Sequence, residues 1–127
     1  MDTDTSTPKR FGELPGPLRR RQAQVAARSE REEVCERMRS IINLERKRDG
    51  LTGYSPIAFN VRLKPYLGPG NARQRLQRLY KFEGDCREVV HSGFGNKEDG
   101  LVFGTKAYAL FFEWTLKQHK PPKQLTI

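Results

Sequence analysis

The sequence predicts an α+β domain: a small antiparallel or mixed sheet with helices on one face, continued across a homodimer. Three observations point there. Residues 57–64, IAFNVRLK, alternate apolar and polar side chains with the period of a strand. Segments on either side of them carry apolar residues at helical spacing. The last periodic segment, TKAYALFFEWTLK, is apolar around most of its circumference, more than one small sheet can cover.

Taken in order, residues 1–20 are rich in Thr, Pro and Gly with few large apolar groups, and read as a disordered basic arm. The cluster Arg19-Arg20-Arg21 within it suits a flexible phosphate-binding arm or an ordinary solvated tail. A single domain is expected over 21–118, and HKPPKQLTI at 119–127 reads as a flexible tail because Pro121 stops the preceding helix. The first helix is expected from Leu18 or later to Arg48. Ser29 with Glu32 forms a capping-box pattern, Val34, Met38, Ile41 and Ile42 make one stripe, and Gly50 is the stop. Cys35 borders the stripe as a packing residue.

In the expected strand, Ile57, Phe59, Val61 and Leu63 face the helices, and Asn60, Arg62 and Lys64 face water or an anion. Pro65 ends it and Gly68-Pro69-Gly70 turns the chain. A second helix runs from Asn71, a good N-cap, to Phe82. Ala72, Leu76, Leu79 and Tyr80 share one arc, and Gly84-Asp85 forms a turn. CREVVHSGF at 86–94 and GLVF at 100–103 are expected to pair as a hairpin across GNKED. The last helix runs from near Thr105 to Lys117. Leu110, Phe111, Phe112 and Trp114 occupy several of its sides, so a second subunit is the expected cover and these four the expected dimer interface.

The net charge is +9 and the pI about 9.9. So large an excess attracts polyanions, nucleic acid foremost. The charge is also segregated: 51–82 holds Arg62, Lys64, Arg73, Arg75, Arg78 and Lys81 and no acid, whereas the first fifty residues interleave acids and bases. No helix-turn-helix, zinc finger or aromatic RNP motif is present. Backbone contact with duplex RNA is therefore the expected mode. Ser92 and Thr105 are candidate hydroxyl contacts, Gly104 and Thr105 offer a helix N-terminus to a phosphate, and Lys106 follows them.

An enzyme is not expected. Cys86 and His91 lack an orienting acid, and five residues along a strand set them on opposite faces. Two distant cysteines and two histidines make no zinc set, so no metal and no cofactor is expected. There is no h-region and no apolar run of transmembrane length, so no membrane partner is expected and the location reads as cytoplasmic with free thiols. No small-molecule substrate is implied. The alternatives are a host-protein interaction module docking through the charged first helix, and a ribosomal or capsid-associated RNA-binding protein.

The segment VRLKPYLGPGNARQRLQRLYKFEGD resembles the strand-turn-helix of the tombusvirus and aureusvirus RNA silencing suppressors. Lys64, Tyr66, Leu67, Leu76, Arg78 and Gly84-Asp85 carry the likeness, with Gly104, Thr105 and Lys106 at the entry to the last helix. It covers roughly residues 55–117, with a deletion in the hairpin region. Size and basic character are closest to the shorter aureusvirus members. The resemblance implies a viral suppressor of RNA silencing in the host cytoplasm. Such a protein is a homodimer whose joined concave sheets cradle double-stranded RNA, including small interfering RNA, with Lys64 and Arg78 as contacts. Charge and phase add Arg62, Arg73 and Arg75. The paired N-terminal tryptophans of the tombusvirus members have no counterpart, since the only tryptophan is Trp114. Duplex length is therefore not expected to be measured.

Overall fold

The computed structural model describes residues 16–119, and these form four α-helices: α1 (Gly16–Arg48), α2 (Pro56–Leu67), α3 (Ala72–Ser92) and α4 (Gly104–Gln118). About 78% of the described residues are helical and no strand occurs among them, so the expected sheet, and with it the α+β class, is overturned. Residues 1–15, most of the expected disordered arm, and 120–127, all of the tail but His119, lie outside the described residues. Gly16 to Arg20 belong to α1.

The helices pack around one core. Val34, Met38 and Ile42 come from α1, Phe59, Leu63 and Leu67 from α2, Leu79, Phe82 and Cys86 from α3, and Tyr108, Phe112 and Leu116 from α4. α1 is 33 residues long, about 50 Å at the rise of an α-helix. The helix expected from Leu18 or later to Arg48 begins at Gly16, and the capping-box pattern at Ser29 is passed without interruption, because Ala27 and Val34 continue one buried stripe across it.

α2 is the main correction. The segment 57–64 satisfies two periods at once, and the helical one wins. Phe59, Leu63 and Leu67 recur every four residues and are buried, while Ile57 and Val61, also four apart, are 76% and 64% exposed. A strand here would need a neighbour for its backbone groups, whereas a helix satisfies them within the segment. Local signals agree. The Ser55 hydroxyl accepts from the Ala58 N–H at 3.1 Å, and Pro56 sits in the first turn, where its missing N–H costs nothing. Pro65 lies inside the helix rather than ending a strand, only two residues before its end. Gly68, at φ 68°, then closes α2 by donating to the Lys64 carbonyl at 3.0 Å.

α3 begins at the expected N-cap. Asn71 and Gln74 exchange side-chain to backbone hydrogen bonds at 2.9 Å each, a capping box. It then runs through Gly84-Asp85, the expected turn, and through 86–92, the expected strand. An exposed glycine costs a helix about 1 kcal/mol, which burial of the apolar Phe82 and Cys86 on either side of it outweighs. Of the hairpin only one antiparallel bridge remains, Phe94 with Val102, at 2.8 Å in both directions. Gly93 has φ 89°, and a Cβ there would stand 2.8 Å from the Phe103 ring.

α4 is covered by all three other helices of the same chain. Phe112 lies stacked between Phe59 and Phe82, with centroids 5.2 and 5.4 Å away. Most of the apolar circumference that pointed to a second subunit is thus buried within the chain. Of the four expected interface residues, Phe112 is in the core, Phe111 is partly buried against it, and Leu110 and Trp114 are exposed.

Candidate nucleic-acid interface

The ion-paired carboxylates lie toward one end of the bundle, while Glu30, Glu32 and Glu33 flank Arg31 on α1 without an ion pair among the described residues. Glu83, buried, takes two hydrogen bonds from Arg37 at 2.9 and 3.0 Å and faces Arg87 at 3.4 Å. Glu36 pairs with Arg39, Glu45 with Arg48 and Asp85 with Lys81. Glu113 receives Arg62 at 3.0 Å and the Tyr54 hydroxyl at 2.6 Å, with Arg46 at 3.8 Å and its guanidinium over the Tyr54 ring. Burial, then the Glu113 carboxylate, pushes the Tyr54 hydroxyl above its ordinary range.

The other end is built from the N-terminal half of α1, the end of α2 and the start of α3. The Gln24 side chain accepts from the Ala72 N–H at 2.9 Å and so ties α1 to the α3 N-terminus. Ala27, Ala72 and Leu76 form a small core there. Among the described residues, Arg20, Arg21, Arg28, Arg31, Lys64, Arg73, Arg75 and Arg78 have no carboxylate partner. Arg21 and Arg28 are spaced at sevens with Cys35, whose thiol reaches Asn60 of α2 at 3.8 Å. Helical phase therefore sets both arginines on the α2 side of α1, beyond the point where α2 ends.

Between these elements lies a groove of about 390 Å³, lined by Arg31 of α1, by Asn60, Val61, Lys64 and Leu67 of α2, and by Gly68 and Arg75. No acid lines it. The Nε of Arg31 is buried and has no acceptor among the described residues. Buried polar groups are almost always hydrogen-bonded, more so charged ones, so this N–H is a donor left unsatisfied in a residue that lines the groove.

The sequence-predicted site residues divide by location. Lys64 and Arg75 line the groove with Asn60, although Arg75 also donates to the Gly70 carbonyl and Asn60 to the Pro56 carbonyl. Arg73 is exposed on the flank of α3 that faces Ala23 and Ala27. Arg62 points to α4 and is engaged by Glu113. Arg78 donates to the Leu67 and Pro69 carbonyls and holds the α2–α3 turn. Ser92 donates to the Glu88 carbonyl at the far end of α3. Gly104, Thr105 and Lys106 open α4, where the Thr105 hydroxyl donates to Glu45, so a carboxylate already occupies the place proposed for a phosphate. The position that sequence reasoning missed is Arg31. It falls four residues after Ala27 and three before Val34, on the buried stripe of α1, where a cation is out of place.

Cys86 is buried, which pushes its thiol far above the ordinary range, and His91 is exposed near the end of the same helix. No group of three or more His, Cys, Asp or Glu that could hold a metal occurs among the described residues, and no helix there is long and apolar enough to cross a membrane. No protein-family model, curated protein or solved structure matches this chain.

Proposed function

We propose that the protein binds RNA through its phosphate backbone, without reading sequence, at the basic end formed by α1, α2 and α3. The observation that carries this is the placement of charge. Cations in the other half of the bundle are largely paired with carboxylates, whereas those around Arg28, Arg31, Lys64, Arg73 and Arg75 are not. Unneutralised arginines on rigid helices suit phosphate oxygens, which accept the guanidinium fork bidentately.

A duplex is favoured over a single strand because, of the exposed aromatics among the described residues, only Tyr80 stands beside the basic end, on the flank of Arg73. Trp114 and Phe103 sit on α4 and at its entry, and the Tyr80 hydroxyl is engaged by Glu30. Sequence-tolerant single-strand binding relies on stacking platforms beside the basic track. Sequestration of duplex RNA from silencing is the biological role that the resemblance adds, and backbone binding is its chemical requirement. The concave sheet by which that family would do it has no counterpart among the described residues, so the contact surface proposed is helical.

The test is a gel shift with duplex RNA, duplex DNA and single-stranded RNA of matched sequence, repeated over a salt series. Duplex RNA should bind tightest, and replacing Arg28 or Arg73 with alanine should reduce the salt slope by about one unit per lost phosphate contact. Salt-independent binding, or strong preference for one base sequence, refutes the reading.

A further inference from the structure

We infer that the groove between α1, α2 and α3 takes the terminal phosphomonoester of an RNA strand, so that the protein prefers phosphorylated ends. This rests on the RNA-binding reading above and deepens it.

The shape comes first. A duplex presents separated phosphates on a convex surface, and a concave groove cannot receive several at once. A volume of about 390 Å³ lies within the roughly 300–1,000 Å³ range of sites that bury a small ligand, enough for a terminal phosphate with its nucleoside. Charge decides which group. Arg31, Lys64 and Arg75 come from three different elements, and no acid lines the same space. An internal phosphodiester brings one negative charge, whereas a terminal monoester brings about −1.5 to −2 at neutral pH and three acceptor oxygens. The monoester is the better match for three cations.

Hydrogen bonding points the same way. The Nε–H of Arg31 lacks an acceptor, and with the side chain turned toward the groove Nε and a terminal nitrogen would both donate to the oxygens of one phosphate in a fork. The remainder of the lining also fits. Val61 and Leu67 give the groove an apolar side against which the terminal sugar or base can lie, and Asn60 adds a side-chain amide. Rigidity is supplied by the turn. Arg78 clamps the Leu67 and Pro69 carbonyls, and the capping box at Asn71 fixes the start of the helix that carries Arg75.

The experiment compares one RNA duplex in three forms, 5′-phosphorylated, 3′-phosphorylated and with hydroxyl ends, by fluorescence anisotropy at constant salt. One added charge-assisted contact corresponds to roughly ten- to a hundredfold in affinity. At least one phosphorylated form should gain about that factor over the hydroxyl form. Arg31→Gln, Lys64→Met and Arg75→Gln should each shrink the ratio, and Arg31→Lys should shrink it too, because a lysine keeps the charge and loses the fork. Lys97→Gln, on the distant loop, should leave it intact. Circular dichroism confirms that each variant is folded.

A nucleoside 5′-monophosphate, titrated calorimetrically, should bind the unaltered protein and not the Arg31→Gln variant, with inorganic phosphate binding the unaltered protein more weakly than the mononucleotide. Equal affinity for all three duplex ends overturns the inference while leaving backbone binding in place. If no RNA binds at all, the functional reading fails instead. The mononucleotide titration then decides the groove independently, and absence of binding there overturns it.

Discussion

Truncating Phe112 separates a core that one chain completes from a core that needs a second copy. The Phe112 ring is fully buried and lies nearly parallel, within 6°, to both Phe59 and Phe82. Replacement by alanine removes the ring and leaves a cavity, which costs roughly 3–5 kcal/mol in well-packed cores. Leucine refills much of the volume but loses two aromatic pairs of about 0.5–1.5 kcal/mol each, hence about 1–3 kcal/mol in all. Domains of this size are stable by about 5–15 kcal/mol, so Phe112→Ala consumes a large part of the total. At roughly 4–8 °C per kcal/mol, Tm should fall by about 12 °C or more. By contrast Leu110 is exposed, and Leu110→Lys should stay within about 0.5 kcal/mol of the parent.

The assay is urea unfolding followed by circular dichroism and Trp114 fluorescence at several protein concentrations, with sedimentation alongside. Self-association through the apolar side of α4 would rest mainly on the exposed Leu110 and Trp114, with Phe103 beside them, because Phe112 is buried and Phe111 is partly covered by the core. Leu110→Lys should therefore alter sedimentation if it alters anything, and Phe112→Ala should alter stability at every concentration. Were Phe112→Ala less damaging than Leu110→Lys, or rescued by raising the protein concentration, the three-ring stack would belong between subunits and the packing described above would be wrong.

Three further outcomes are expected. Far-ultraviolet circular dichroism should show a predominantly helical protein, and a substantial strand component would restore the α+β assignment. Asn71→Ala removes both halves of the α3 capping box and should cost about 1 kcal/mol, visible as a lower urea midpoint at unchanged m; no change would mean that the α3 start is frayed. Burial pushes the Cys35 thiol from 9.0 up to about 11. Between those values the unfolded chain has lost a proton that the folded chain keeps, so its contribution is full below pH 9.0 and is lost as pH rises toward 11. Cys35→Ala should flatten that part of the urea-midpoint profile, and an identical slope in both proteins would show that the thiol is not protected.

How far the fold was legible depends on how many periods a segment satisfies. In α1 and α4 the apolar residues fit only a helix, and both were found, as was the start of α3 with Asn71 as its N-cap. In 57–64 the set Ile57, Phe59, Val61, Leu63 reads as alternation, yet Phe59, Leu63 and Leu67 read equally as a helical stripe. Ser55-Pro56 in front was the tie-breaker, a hydroxyl cap followed by a proline suited to a first turn. In α3 the pair Gly84-Asp85 was given the weight of a turn, although Phe82, Cys86 and Val90 continue the spacing of four across it. Once that helix runs to Ser92, residues 86–92 are no longer available as a strand. The first segment then loses its partner, so one misreading entailed the other.

The segregation of charge along the chain is independent of the change of fold, because it does not depend on backbone period. A helix and a strand distribute the same side chains differently, and neither can neutralise cations in a stretch of 32 residues, 51–82, that contains no acid. What the fold decides is which cations are engaged from elsewhere. Glu113, far along the chain, takes Arg62, and the turn carbonyls take Arg78. Arg31, which the sequence hides among the acids of α1, is brought opposite Lys64 and Arg75. The net positive excess follows from composition alone, whereas the groove requires three elements to meet. The proposed backbone binding and end recognition would therefore respond to different perturbations: added salt should weaken the first throughout, and replacing Arg31 should remove the second.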